Sequence, residues 1–176
     1  REFIEKADIP CATTFLGLSA VPSNHPLNKG ILGMHGNLGP NVMTNQCDLL
    51  IAVGMRFDDR VTGNLATYAK QAKIIHFDID ASEFNKNVKI DLGVLGNCKD
   101  TLKAVTALID ETKHSSWSNG FEPYKEKEYN KVISKALYPT EGPLLMGEVV
   151  NKVTETSGNE AILVTDVGQN QLFACR

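Results

Sequence analysis

The chain has 176 residues, of which 42% are hydrophobic and 22% charged, proportions that are typical of a soluble globular protein. Its formal net charge of −3 excludes the basic face that nucleic-acid binding requires, and no apolar run approaches the ~20 residues that span a bilayer. Its four cysteines are too few and too scattered for a disulfide framework, so we expect reduced thiols in a cytoplasmic protein.

The first 112 residues alternate between strand-like and helix-like patterns. Short apolar runs bounded by Gly, Asp or Asn predict five strands, at Ile9–Thr13, Ile31–Met34, Asp48–Gly54, Lys73–Asp80 and Leu92–Leu95. Helical patterns lie beside them, at residues 1–7, 38–46 and Lys99–Thr112. The alternation predicts an α/β fold in which helices flank a parallel, Rossmann-like sheet.

A change of composition after residue 113 predicts a second part of the chain. Residues 114–140 place a short charged helix between turn-rich stretches, as an interdomain linker would. A helix over 144–156 and a strand over Ala161–Thr165 follow. We therefore expect a domain over 1–113, a linker over 114–140 and the helix–strand start of another domain over 141–176. Since the sequence begins without Met and ends soon after that strand, we expect a piece of a longer polypeptide.

The most polar of the predicted turns is Gly54–Gly63, which directly follows the third strand. Ligands of parallel sheets bind at the carboxyl ends of strands, and the arginines at 56 and 60 could hold a phosphate through paired hydrogen bonds. The alternative is a solvated loop in which these arginines pair with Asp58 and Asp59, each pair contributing ~0–1 kcal/mol. Spacing alone does not decide between the two.

Three further turns could contact a ligand. Gly33–Gly36 could expose backbone amides, with His35 as a less favoured acid–base group. Asp78 and Asp80 could accept hydroxyl hydrogen bonds, although Asp80 could equally cap the turn that follows it. Thr165–Asn170 could place a phosphate near backbone N–H groups. The sequence contains no GxGxxG, Walker A or GxSxG motif, which disfavours a dehydrogenase half, and it pairs no nucleophile with a base.

Four segments together resemble one family. They read GILGMHG, CDLLIAVGMRFDDRVTGNL, AKIIHFDIDASEFNKN and ILVTDVGQNQLFACR, and they are similar to acetohydroxyacid synthase (acetolactate synthase) large subunits. The resemblance implies a thiamine-diphosphate-dependent homo-oligomer with Mg²⁺ and FAD, which condenses two pyruvates, or pyruvate with 2-oxobutyrate. It also implies a regulatory small subunit. The chain would be the FAD-binding central domain with the start of the thiamine-diphosphate domain, and inactive alone.

The resemblance also implies which residues contact the cofactors. For FAD they are Thr14, Phe15, Leu16, Gly33, Met34, His35, Gly36, Gly54, Met55, Arg56, Asp58, Arg60, Val61, Asp78, Ile79, Asp80, Glu83, Gly96 and Asn97. Gly168 and Gln169 would lie near thiamine diphosphate, and Asp59 with Arg60 near the active-site entrance, where inhibitors bind. No catalytic or metal-binding residue is implied.

The sequence departs from the family at two of these segments. Asn97 stands where the family has Asp, which removes a carboxylate from one flavin contact, and Asn170 stands where it has His. The family also has an earlier strand with consecutive glycines, an activating glutamate and a metal motif, none of which lies in this sequence. The alternative interpretation is therefore a non-catalytic module that binds a nucleotide such as ADP.

Overall fold

The computed structural model describes residues 1–175, which form two compact units, Arg1–Phe121 and a second unit that begins at Glu122. The first unit is mixed α/β and the second is helical. None of the helices in the described part of the chain is both long and apolar enough to cross a membrane. The domain and linker boundaries at 113 and 140 stay predictions.

The strands of the first unit all run parallel to their neighbours and form two sheets. One sheet pairs β1 with β2, and the other has the order β3-β4-β5. The strand bounds are Cys11–Thr13 for β1, Asn28–Ile31 for β2, Leu49–Val53 for β3, Lys73–Asp78 for β4 and Leu92–Leu95 for β5. The predicted α/β class with parallel strands flanked by helices is confirmed.

The second strand begins and ends three residues earlier than the sequence predicts. Its observed bounds are Asn28–Ile31, whereas the predicted strand was Ile31–Met34, so only Ile31 is shared. The chain leaves the strand because Gly33 has φ +113° and because the side chain of Asn37 accepts the Ile31 N–H at 2.8 Å. When an apolar run continues through a glycine turn, its sequence does not indicate the residue at which strand pairing ends.

Five α-helices and two 3₁₀ turns, Phe15–Gly17 and Ala81–Glu83, complete the first unit. The bounds of the α-helices are Glu2–Ala7 for α1, Leu38–Thr44 for α2, Asp59–Thr62 for α3, Cys98–Leu108 for α4 and Ser115–Asn119 for α5. The side chain of Asn97 caps α4 by accepting the Lys99 N–H at 2.9 Å. Beyond the other end of α4, Thr112 donates its hydroxyl to the carbonyl of Ala7 at 2.6 Å. This contact ties α1 to the segment that follows α4.

A small core lies beside β3 and β4. Ala52 and Ile74 on these strands pack with Tyr68, Ala69 and Phe57. Phe57 is 2% exposed although it belongs to the polar turn after β3, and its φ of 52° is uncommon for a residue other than Gly. Burial of this ring therefore holds the turn in a conformation that costs backbone energy.

The second unit consists of short helices. Their bounds are Glu122–Glu128 for α6, Tyr129–Ile133 for a π-helical turn, Ser134–Leu137 for α7, Met146–Thr156 for α8 and Gln169–Ala174 for α9. Gly147 lets α8 approach α7 closely, because a Cβ there would lie 2.9 Å from the Ala136 carbonyl oxygen. The stretch predicted as a turn-rich linker is thus more helical than expected, because its Glu- and Lys-rich residues favour helix.

The predicted strand over Ala161–Thr165 is wrong. These residues have no regular secondary structure, and Ile162 is 93% and Val164 86% exposed. A strand needs a neighbour to satisfy its backbone N–H and C=O groups, and the described part of the second unit offers only helices. The apolar pattern alone does not supply that partner.

Candidate cofactor-binding site

The turns that follow the first three strands are joined by backbone hydrogen bonds. Leu32 donates its N–H to the Thr13 carbonyl at 2.9 Å, which connects the ends of β1 and β2. Met34 donates its N–H to the Arg60 carbonyl at 2.7 Å, which connects the turn after β2 with α3. The two sheets therefore meet at their carboxyl ends.

The carboxyl ends of the other strands continue the same edge. Gly54 donates its N–H to the Phe77 carbonyl at 2.8 Å, and Gly96 donates its N–H to the Asp78 carbonyl at 2.9 Å. We call this edge the rim. It comprises residues 13–16, 32–36, 54–61, 78–83 and 96–98. It brings together all the positions of the first unit that the sequence predicts as cofactor contacts.

The turn after β2 depends on glycine. A Cβ on Gly33 would lie 2.7 Å from the Arg60 carbonyl oxygen, and one on Gly36 would lie 2.3 Å from the Ile31 carbonyl oxygen. Asn41 holds Gly33 from both sides, accepting its N–H at 3.0 Å and donating to its carbonyl at 2.8 Å. Met34 and His35, between the two glycines, are exposed. The turn is therefore rigid in its backbone and presents these two side chains.

The sequence left open whether the arginines of the turn after β3 pair with aspartates or are available to a ligand. The structure contains one arginine of each kind. Arg56 pairs with Asp58 at 3.3 Å, and the Arg56 side chain is 67% exposed and that of Asp58 36%, so this pair contributes little stability. Asp58 also caps α3 by accepting the Arg60 N–H at 3.1 Å. Arg60 itself is exposed, and no acidic side chain among residues 1–175 pairs with it. Its guanidinium is therefore available to a ligand, as is the exposed Asp59.

The two aspartates after β4 have structural roles. Asp78 is buried and accepts the Asp80 N–H at 2.9 Å. Asp80 caps the 3₁₀ turn Ala81–Glu83, and the hydrogen bonds from Ser82 lower the pKa of its carboxyl. The predicted cap at Asp80 is confirmed. Ile79, between the two, is 71% exposed.

The rim has the surface that a flat, partly apolar ligand needs. Exposed apolar side chains lie along it, namely Phe15, Leu16, Met34 and Ile79. Three of its glycines, at 33, 54 and 96, have positive φ, and each donates its N–H within the rim or to an adjoining element, to Asn41, Phe77 and Asp78 respectively. Apolar side chains suit aromatic rings, the exposed Arg60 guanidinium suits phosphate, and carboxylates suit hydroxyls. The residues present therefore fit a dinucleotide such as FAD.

A concave surface in the first unit lies away from the rim. It encloses about 440 Å³ and is lined by Glu2, Glu5, Lys6, Thr106, Glu111 and Lys113. Its three carboxylates oppose only two lysines, and Glu5 is already bonded to Arg1 and His25. This groove does not suit a phosphate-bearing ligand.

Comparison with known proteins identifies the family. The family described as thiamine pyrophosphate enzyme, central domain, matches residues 1–105, which is more than half of the chain. The chain belongs to this family. The match covers every strand of the first unit and therefore the whole rim.

Individual relatives carry the name acetolactate synthase. The large subunit from Parasynechococcus marenigrum is 38% identical over 100% of this chain, and a probable large subunit from Methanocaldococcus jannaschii is 38% identical over 98%. Acetolactate synthase 1, chloroplastic, from Oryza sativa subsp. japonica is 36% identical over 100%. The chain spans only 28%, 29% and 28% of the lengths of these proteins.

Cys98 is a rim residue of this thiamine pyrophosphate enzyme domain that the sequence analysis did not single out. Cys98 is the first residue of α4, and its thiol lies 3.6 Å from the Phe77 carbonyl oxygen. A Cβ on Gly54 would lie 3.9 Å from its Sγ. Burial and the neighbouring charge of Asp78 raise the pKa of the thiol, so it stays protonated. The only signal in the sequence was its place directly after the Gly96–Asn97 turn.

The two residues predicted near thiamine diphosphate belong to the second unit. Gly168 has φ +149° and precedes α9, which begins at Gln169. The helix has six residues, and the departure from the family at Asn170 lies in its first turn. Two residues and one short helix do not form a site that could be tested for fit to thiamine diphosphate. Their role stays a prediction.

Proposed function

We propose that this chain is the FAD-holding central segment of an acetolactate synthase large subunit. The observation that carries the proposal is the rim, where five parallel strands end with glycine turns, exposed apolar side chains and the unpaired Arg60 at one edge. The relatives' name and the fit of these groups to a flavin dinucleotide support the same assignment. FAD would serve as a bound structural element, and the residues of the rim would bind and orient it.

The division of roles follows from what each rim residue offers. Exposed Leu16, Met34 and Ile79 would cover the ring systems. The Arg60 guanidinium would bind the pyrophosphate. Asp80 and Glu83 would accept hydroxyl hydrogen bonds. Asp78 is held inside the turn and would act mainly by shaping it.

The reaction would belong to the whole protein. Thiamine diphosphate with Mg²⁺ would supply the carbanion chemistry that joins two pyruvates to 2-acetolactate, or pyruvate to 2-oxobutyrate, in branched-chain amino-acid synthesis. The working enzyme would be a homo-oligomer with a regulatory small subunit in the cytoplasm. Because Gly168, Gln169 and the short helix α9 would not hold thiamine diphosphate by themselves, we expect this chain to form no acetolactate alone.

The test is a titration of the purified chain with FAD, followed by flavin fluorescence and visible absorbance. We expect saturable binding, which Arg60→Ala weakens about 10- to 100-fold because a charge-assisted hydrogen bond contributes roughly 1.5–3 kcal/mol. Lys103→Ala on α4 removes the same charge away from the rim and is the matched control, with FAD affinity unchanged.

Three outcomes would overturn the proposal. Specific ADP binding without flavin binding would favour a nucleotide module with no part in this enzyme. Equal loss of FAD affinity in the Arg60 and Lys103 variants would mean that general charge, not the rim, attracts the ligand. Acetolactate formed from pyruvate by the chain alone would contradict its assignment as a cofactor-holding segment.

A further inference from the structure

His76 lies between two aromatic rings beneath the rim. It is fully buried on β4, with Phe57 on one side at 5.1 Å between ring centroids and Phe84 on the other at 5.2 Å. The interplanar angles are 81° and 68°, so both contacts are edge-to-face. We call these three residues the ring stack.

The two imidazole nitrogens of His76 have no hydrogen-bond partner among residues 1–175. The polar atom that Nε2 faces is Asp78 Oδ2 at 3.5 Å, just beyond good hydrogen-bond geometry. A buried nitrogen without a partner lowers stability, and a phenylalanine here would keep the ring contacts without that cost. The imidazole is therefore poorly explained by packing alone.

Each neighbour of His76 lies in a segment of the rim or directly follows one. Phe57 separates Arg56 from Asp58 in the turn after β3. Phe84 directly follows Glu83. Asp78, whose Oδ2 faces Nε2, uses its Oδ1 to accept the Asp80 N–H at 2.9 Å. His76 thus touches the turn after β3 and both ends of the turn after β4.

We propose that His76 is a positioning residue for the rim. In the tautomer that carries the proton on Nε2, it directs N–H at Oδ2 of Asp78 while the Asp80 amide holds Oδ1. Both carboxylate oxygens are then fixed, and the turn 78–80 is set against Phe57 and Arg56. The inference rests on the proposed function for its ligand, since the turn it orders is the one that would accept the hydroxyls of FAD.

Two substitutions separate the effect of the aromatic ring of His76 from the effect of its N–H donor. His76→Phe keeps the ring stack and removes the donor, and His76→Gln places an amide nitrogen near the position of Nε2 and removes the ring. Tyr68→Phe is the matched control, because Tyr68 also contacts Phe57 and also buries an unpartnered polar atom, but it does not face Asp78.

The deciding readout is amide hydrogen exchange at Asp80, measured by NMR on the chain without ligand. We expect His76→Phe to raise this exchange about tenfold with the thermal midpoint of unfolding kept or increased, a combination that loss of packing would not produce. His76→Gln should restore the exchange rate in part. The Ser82 amide, which bonds to Asp80 Oδ1 at 2.9 Å, serves as the internal reference and should not change.

The second readout is FAD affinity, which we expect His76→Phe to weaken about tenfold and Tyr68→Phe to leave unchanged. An unchanged rate of Asp80 amide exchange in His76→Phe would overturn the positioning role. This holds even if the FAD affinity of that variant falls. If the unmodified chain binds no FAD, the proposed function fails, but the exchange measurement still decides whether His76 positions Asp78.

Discussion

Gly33→Ala is expected to destabilise the first unit and abolish FAD binding. The residue has φ +113°, which an alanine adopts only at a cost of about 1–3 kcal/mol. Its Cβ would also lie 2.7 Å from the Arg60 carbonyl oxygen, the atom that accepts the Met34 N–H. The contact that joins the turn after β2 to α3 would have to open. Urea unfolding followed by circular dichroism measures the loss of stability, and flavin fluorescence measures binding.

Gly63→Ala is the control for backbone strain without overlap. Gly63 has φ +58°, and a Cβ there meets nothing within 4 Å. We expect this variant to lose stability but to bind FAD at concentrations where the chain is folded. If both variants bind FAD equally when folded, the contact between Gly33 and Arg60 has no part in forming the rim.

Phe57→Ala is expected to cause a comparable loss by a different route. Removing a fully buried aromatic ring costs about 3–5 kcal/mol through lost burial and the cavity that remains. The alanine would keep the left-handed backbone but lose the packing that stabilises it, so the turn carrying Arg56 and Arg60 should relax. Unfolding free energy and FAD affinity should therefore fall together.

Leu16→Ala provides the opposite pattern. Leu16 is 89% exposed on the rim, so its loss should change the unfolding free energy by less than about 0.5 kcal/mol. If it covers a ring of the cofactor, FAD affinity should still fall. A Phe57→Ala protein as stable as the unmodified chain would mean that this ring does not hold the turn after β3.

The parallel α/β architecture was predictable because its signals are local. Runs such as Leu49–Val53 are apolar on both faces, and turn residues bound them. The sequence also predicts that the turns lie at one edge, because the carboxyl ends of parallel strands lie together. The end of β2 was not predictable, because it depends on the conformation of Gly33 and on the distant Asn37 side chain. The strand expected over Ala161–Thr165 failed because strand formation depends on a partner.

The chemistry of the rim was predictable in outline and less so in detail. The arginines at 56 and 60 look alike in sequence, but the structure pairs only Arg56 with an aspartate. Asp78 and Asp80 resemble ligand contacts, whereas both hold the backbone of their own turn. Phe57 and His76 lie in segments that read as polar or strand-like. Their burial depends on the contact between them, which joins two segments that are separate in the chain.

The most direct test of the account is an amide chemical-shift map of the labelled chain as FAD is added. The account predicts that the backbone amides of Gly33, Gly54 and Gly96 shift together with a single dissociation constant, while amides of α8 do not move. Shifts confined to the groove around Glu5 and Glu111, or no saturable shift at the three glycines, would contradict it.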